Sequence, residues 1–85
     1  MTPTEISLLA THRSPVVRLS DICEKYFGLA PESANQKALL NLLPVPTFRV
    51  NDSRKAPRVV KISELARYLD EKAEEAKANW VASQV

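Results

Sequence analysis

The side chains that could do covalent, acid–base or metal chemistry are few, and their spacing argues against each use. Cys23 is the one cysteine and His12 the one histidine among 85 residues. A reactive thiolate needs a neighbouring cation or imidazole, yet no His or Lys adjoins Cys23 in sequence. It shares helical spacing with Ile22, Tyr26 and Phe27, so a buried structural thiol is expected. Cys23 has no partner for an internal disulfide, and Cys23 with His12 falls short of a four-ligand zinc site. His12 precedes Arg13, Ser14 and Pro15 and is expected in a solvated loop. The carboxylate pairs Asp70-Glu71 and Glu74-Glu75 are interleaved with Lys72 and Lys77, where an i,i+3 salt bridge from Glu74 to Lys77 accounts for them without acid–base catalysis. Gly28 is the one glycine, which removes a Gly-rich phosphate loop. No catalytic residue, metal or cofactor is therefore expected, and an enzyme is the least favoured class.

What remains is electrostatic chemistry with an anion. The formal net charge is +2, from 12 Lys and Arg against 10 Asp and Glu, but it is unevenly placed. Residues 1–48 balance Arg13, Arg18, Lys25 and Lys37 against Glu5, Asp21, Glu24 and Glu32. Residues 49–61 carry Arg49, Arg54, Lys55, Arg58 and Lys61 against Asp52 alone, a local charge of +4. The remainder reverses to −2, with Arg67, Lys72 and Lys77 against Glu64, Asp70, Glu71, Glu74 and Glu75. Cations gathered in one short stretch are the pattern an anionic partner needs. The same run alone also suits a solvated loop, so the elements around it decide.

The length allows one small domain that buries roughly 60–65% of its unfolded surface. The apolar run Ile6, Leu8, Leu9 and Ala10 is too short for a signal peptide or membrane span, which leads to the expectation of a cytoplasmic protein. Residues 5–10 fit either a strand or a helix. Val16 to Leu19 reads as a short strand or extended lead-in. Ser20 then suits an N-cap, and Leu19, Ile22, Cys23, Tyr26 and Phe27 recur at helical spacing up to Gly28, a C′ residue able to take positive φ. Pro31 suits the first position of a second helix whose apolar side is Ala34, Ala38, Leu39, Leu42 and Leu43, ended by Pro44 and Pro46. Thr47 to Val50 and Arg58 to Ile62 read as strands of a hairpin with a polar, basic tip. Ser63 is expected to cap a last helix over residues 63–82, in which Ile62, Ala66, Leu69, Ala73, Ala76 and Trp80 form a short heptad seam.

This order predicts a single α+β domain over residues 1–85, a small winged helix-turn-helix of short strand, helix, helix, β-hairpin wing and C-terminal helix. In such a domain the second helix enters the major groove of double-stranded DNA and the wing meets phosphate or the adjacent minor groove. The outward side chains expected on the second helix are Ser33, Gln36 and Lys37, and the tip cations are Arg54, Lys55 and Arg58. Gln36 can pair with adenine N6 and N7, as could Asn35 or Asn41 if their faces are exposed, though Asn35 falls nearer the apolar side by helical phase and ranks below Gln36. The competing class is a protein-interaction module that never touches DNA.

The run from Val16 to Phe27, with Ile22-Cys23 and Tyr26-Phe27, continues as Pro31-Glu32, Pro46, Arg49, Ser53, Lys55, Arg58, Val60, Ile62, Leu65-Ala66, Tyr68 and Asp70. It resembles the pyocin activator protein family of phage and prophage regulators over roughly residues 5–72. The order of elements is more distantly similar to excisionase and AlpA-type winged-helix proteins. The resemblance implies sequence-specific DNA binding in the bacterial cytoplasm, in transcriptional activation or in prophage excision. It carries over contact roles to Lys37, Arg49, Ser53, Lys55 and Arg58. The chain departs from the family pattern of a more basic second helix followed by a glycine, having Gln36 and the run Leu39-Leu40-Asn41-Leu42-Leu43 instead. That departure implies a different operator or a partner surface at the leucines. With so few cations a lone copy should hold DNA weakly, so dimeric or side-by-side binding at repeated sites is expected. The last helix or Leu40 and Leu43 would mediate it, with a recombinase or RNA polymerase as further partner.

Overall fold

The computed structural model describes residues 1–84. Its elements are α1 (Pro3–His12), β1 (Val16–Arg18), α2 (Leu19–Ile22) running into a π-helical turn (Cys23–Phe27), α3 (Pro31–Leu39), β2 (Phe48–Arg49), β3 (Arg58–Lys61) and α4 (Ile62–Ser83). The architecture is the expected α+β, winged-helix-like one: helices packed on a small antiparallel sheet of strand order β1-β3-β2.

Residues 5–10, ambiguous by pattern, are helical. Thr2 is the N-cap, its Oγ1 accepting the Glu5 N–H at 3.1 Å, and Pro3 occupies the first turn. Arg13 closes α1 in the left-handed region (φ 53), its N–H donating to the Leu9 carbonyl at 2.7 Å. His12 is therefore the last helical residue and half-buried, with a buried Nε2 that meets no partner, and does not lie in a solvated loop.

Two expected caps are displaced by the sheet. α2 begins at Leu19 after Arg18, and α4 begins at Ile62 after Lys61; both preceding residues have φ −69 and ψ 135, and neither supplies a side-chain cap. Ser20 and Ser63 thus lie inside the first turns. The backbone serves instead, because the Ile62 N–H donates to the Pro15 carbonyl at 2.8 Å, satisfying one of the otherwise unpaired N-terminal donors. Val17 faces Val60 and Arg18 faces Val59 across β1–β3, while Phe48 faces Val59 and Arg49 faces Arg58 across β2–β3.

Leu19, Ile22, Cys23, Val60, Ile62 and Leu65 form the centre of the core, each below 2% exposure, with Ala34 and Ala38 seating α3 on it. Cys23 is a buried free thiol, as its apolar neighbours indicated. The π-helical turn was not legible in the pattern. It ends at Gly28 (φ 66), whose N–H and that of Leu29 both reach the Cys23 carbonyl. It also sets the Phe27 ring edge-on to Tyr68, with centroids 5.2 Å apart, while the Tyr68 hydroxyl donates to the Tyr26 carbonyl at 3.4 Å.

α3 ends sooner than the prolines suggested. Asn41 takes φ 55, its N–H donates to Ala38 O at 3.2 Å and the Leu42 N–H to Lys37 O at 2.9 Å. This paired closure is the Schellman arrangement, with Asn41 at the left-handed position where glycine is commonest. Leu39, Leu40 and Leu42 consequently stand more than 60% exposed, and Val45, which the pattern did not mark, is buried in their place beside half-buried Leu43.

The left-handed closures at Gly28 and Asn41 respond oppositely to substitution. A Cβ at Gly28 would meet nothing within 4 Å, so Gly28→Ala bears only the backbone cost, about 1–2 kcal/mol. Asn41→Gly removes such a cost and should leave stability level or raise it by a few tenths of a kcal/mol, on the order of the C′ preference. Urea denaturation of both variants checks the pair.

Candidate nucleic-acid interface

Three arginines and the wing-side flank of α3 enclose one cleft. It has a volume of about 240 Å³ and is lined by Asn35 and Leu39 from α3 and by Arg49, Arg54 and Arg58 from the hairpin. Helical geometry explains the α3 contribution. Ala34 and Ala38 face the core, and at 100° per residue Gln36 lies on the opposite crest, with Asn35 and Leu39 on one flank and Ser33 and Lys37 on the other. All five are exposed. Asn35, ranked low by phase, is therefore the polar α3 residue beside the wing, whereas Ser33 and Lys37 lie away from it. Glu32 shares the crest with Gln36, one turn earlier, where it would repel phosphate.

The hairpin residues divide by role. Arg49 and Arg58 are direct cross-strand partners, so their side chains leave the same face of the sheet. Alternation puts Val60 on that face too, and sends Lys61 to the other. Arg58 is half-buried and its Nη1 donates to Thr47 Oγ1 at 3.3 Å. The tip is built by side chains: Asn51 Oδ1 accepts the Ser53 N–H at 2.8 Å and Ser53 Oγ accepts the Lys55 N–H at 3.2 Å. Ser53 thus shapes the turn, and Lys55 is exposed at the tip outside the cleft lining.

Among the described residues no carboxylate forms an ion pair with these arginines. Among the described residues the ion pairs are Arg67–Glu64 and Arg67–Glu71, each at 2.9 Å, and Lys72–Glu75 at 3.7 Å, all within α4. The hydrogen bonds that Arg67 donates to the Glu64 and Glu71 carboxylates hold its guanidinium above its ordinary pKa. The expected Glu74–Lys77 bridge is not formed, Lys72 pairing with Glu75 instead. A larger concavity of about 430 Å³ lies between α1 and α4, but its rim carries Glu5, Asp70, Glu71 and Glu74. Its sign repels a polyanion, so chemistry favours the smaller cleft over the larger. No group of three or more His, Cys, Asp or Glu side chains is placed to hold a metal ion, and no helix is long and apolar enough to cross a membrane, among the described residues.

A short helix, a tight turn and a second helix beside a basic hairpin define a winged-helix-like domain. The family model described as Pyocin activator protein PrtN matches residues 4–76. The chain belongs to this pyocin activator family of phage transcription regulators. Neither the curated proteins nor the solved structures contain a significant match.

Like charges directly opposite in a ladder destabilise it. Arg49→Thr is thus expected to raise the unfolding free energy by about 0.2–1 kcal/mol at low salt. The gain should shrink as added salt screens the pair. Denaturation at two salt concentrations checks this, and equal or lower stability at low salt would mean that the arginines do not strain the hairpin.

Proposed function

We propose that this chain regulates phage transcription by binding double-stranded DNA through the cleft between α3 and the wing, and that it performs no chemistry. The observation that carries the reading is the facing pair Arg49 and Arg58, joined by Arg54 and without a carboxylate partner among the described residues. Keeping cations together at a cost to the fold is reasonable when an anion relieves them on binding. A duplex strand separates the major from the minor groove, and a cleft between a helix and a hairpin suits that strand. The arginines and Asn35 then position the phosphates. Gln36 on the crest would meet base edges, where its amide can pair with adenine N6 and N7, and Leu39 would meet a thymine methyl group. Lys55 at the tip reaches phosphate or the minor groove beyond.

Membership of a transcription-regulator family supports activation over a role in excision. Both uses need repeated sites, because a few arginines hold one copy weakly. A genomic footprint at promoters fits activation, whereas one confined to a prophage attachment site fits a recombination factor.

The decisive solution test is the salt dependence of duplex binding. Each of Arg49→Ala, Arg54→Ala and Lys55→Ala should lower the slope of log K against log[salt] by about 0.9 in magnitude. Gln36→Ala should leave the slope unchanged and relax preference at one base position. Absence of duplex binding, or binding indifferent to salt and to these changes, would refute the proposal.

A further inference from the structure

The carboxylate of Glu32 is out of place on a surface that attracts phosphate. Glu32 is the second residue of α3 and its one acidic residue. It is exposed, and it forms no ion pair among the described residues. Helical spacing sets its neighbours. Glu32, Asn35, Gln36 and Leu39 stand at i, i+3, i+4 and i+7, which makes them one continuous stripe, and all four are exposed. Asn35 and Leu39 of that stripe line the cleft with Arg49, Arg54 and Arg58. The carboxylate therefore lies at the N-terminal end of the same stripe that flanks the arginines.

An ionised carboxylate only accepts hydrogen bonds. Phosphate oxygens offer it no donor, and the donors in the major groove are the amino groups of cytosine and adenine. Adenine sets its N7 acceptor beside N6, an edge that suits the amides of Asn35 and Gln36 and repels a carboxylate. Cytosine presents its N4 amino group with no acceptor of its own beside it. In a groove-bound helix the N-terminal residues are the ones that meet base edges. Any acidic residue in a first turn also complements the helix dipole, but that role is blind to base sequence.

We propose, on the footing that a duplex lies in the cleft, that Glu32 is a specificity-determining residue that accepts a hydrogen bond from cytosine N4. Glu32 and Gln36 are about 6 Å apart along the helix axis, against a rise of about 3.4 Å per base pair. The cytosine thus lies within about two base pairs of the adenine that Gln36 meets. The charge of Glu32 opposes every duplex by repelling phosphate, and a correctly placed cytosine offsets that repulsion. Discrimination then comes from repulsion of the wrong base as well as attraction to the right one.

Selection from a duplex library with randomised central positions, run in parallel on wild type, Glu32→Ala and Glu32→Gln, tests the assignment. Wild type should enrich cytosine at one position near an adenine. Glu32→Ala should enrich no base there, and Glu32→Gln should favour adenine, whose N6 and N7 suit an amide. In the duplex selected by wild type, N4-methylcytosine at that position keeps the base pair but covers the N–H that faces the groove. It should weaken wild-type binding on the order of tenfold, as one mismatched pair does, and leave Glu32→Ala binding unchanged. Salt-dependent binding without a cytosine preference, a preference that survives in Glu32→Ala, or indifference of wild type to the methyl group would each overturn the role of Glu32 while leaving the cleft in place. Absence of salt-dependent duplex binding would overturn the cleft and the role of Glu32 together.

Discussion

Strand β3 is bonded on both sides, and most of the molecule takes its position from that fact. On one side Val17, Val60 and their neighbours pair β1 to β3, fixing where the chain enters α2 and where it leaves for α4, because each helix starts at the residue after its strand. On the other side the pairing of Phe48 with Val59 and of Arg49 with Arg58 holds the wing. Val60 is fully buried among Leu19, Ile22, Ile62 and Leu65. A one-residue slip of this register would exchange the inward and outward faces of the strand together. The wing's arginines therefore face α3 for the same reason that Val60 faces the core.

A tension follows from this dependence. The strand that organises the fold also carries Arg58 opposite Arg49, an arrangement that works against the ladder. Natural proteins tolerate local conflict of this kind where function requires it. Here the conflict sits at the edge of the sheet, where β2 has only two residues. Buried β1–β3 pairing remains to hold the domain. The acidic rim between α1 and α4 and the basic cleft at the wing divide the surface by sign, which orients a bound molecule as well as attracting its partner.

Much of this was legible in the sequence because it is written in local chemistry. Gly28 at a left-handed closure, Pro31 at the start of α3 and the buried setting of Cys23 follow from single residues and their spacing. The cation-rich stretch marked the wing. What escaped notice was decided by tertiary partners. Ser20 and Ser63 look like caps, but strand pairing delivers the chain into each helix a residue earlier. The apolar run after Leu39 looks like more helix, yet Asn41 turns the chain and buries Val45. Ser53, carried over by resemblance as a contact residue, has a further part in shaping the turn that spacing alone does not show. The place of Asn35 in the cleft lining is set by the hairpin beside that flank of α3, which helical phase alone does not show. The π-helical turn has no sequence signature in its apolar spacing.

The central claim is that a duplex lies in the cleft between α3 and the wing. Titration of the isotope-labelled full chain with a short duplex, followed by backbone amide NMR, addresses it directly. The expected result is that the largest shifts fall on residues 33–39 and 49–58, and that the α1–α4 groove stays unperturbed. Shifts centred on Glu5, Asp70 and Glu74, or no shifts with duplex in excess, would contradict it.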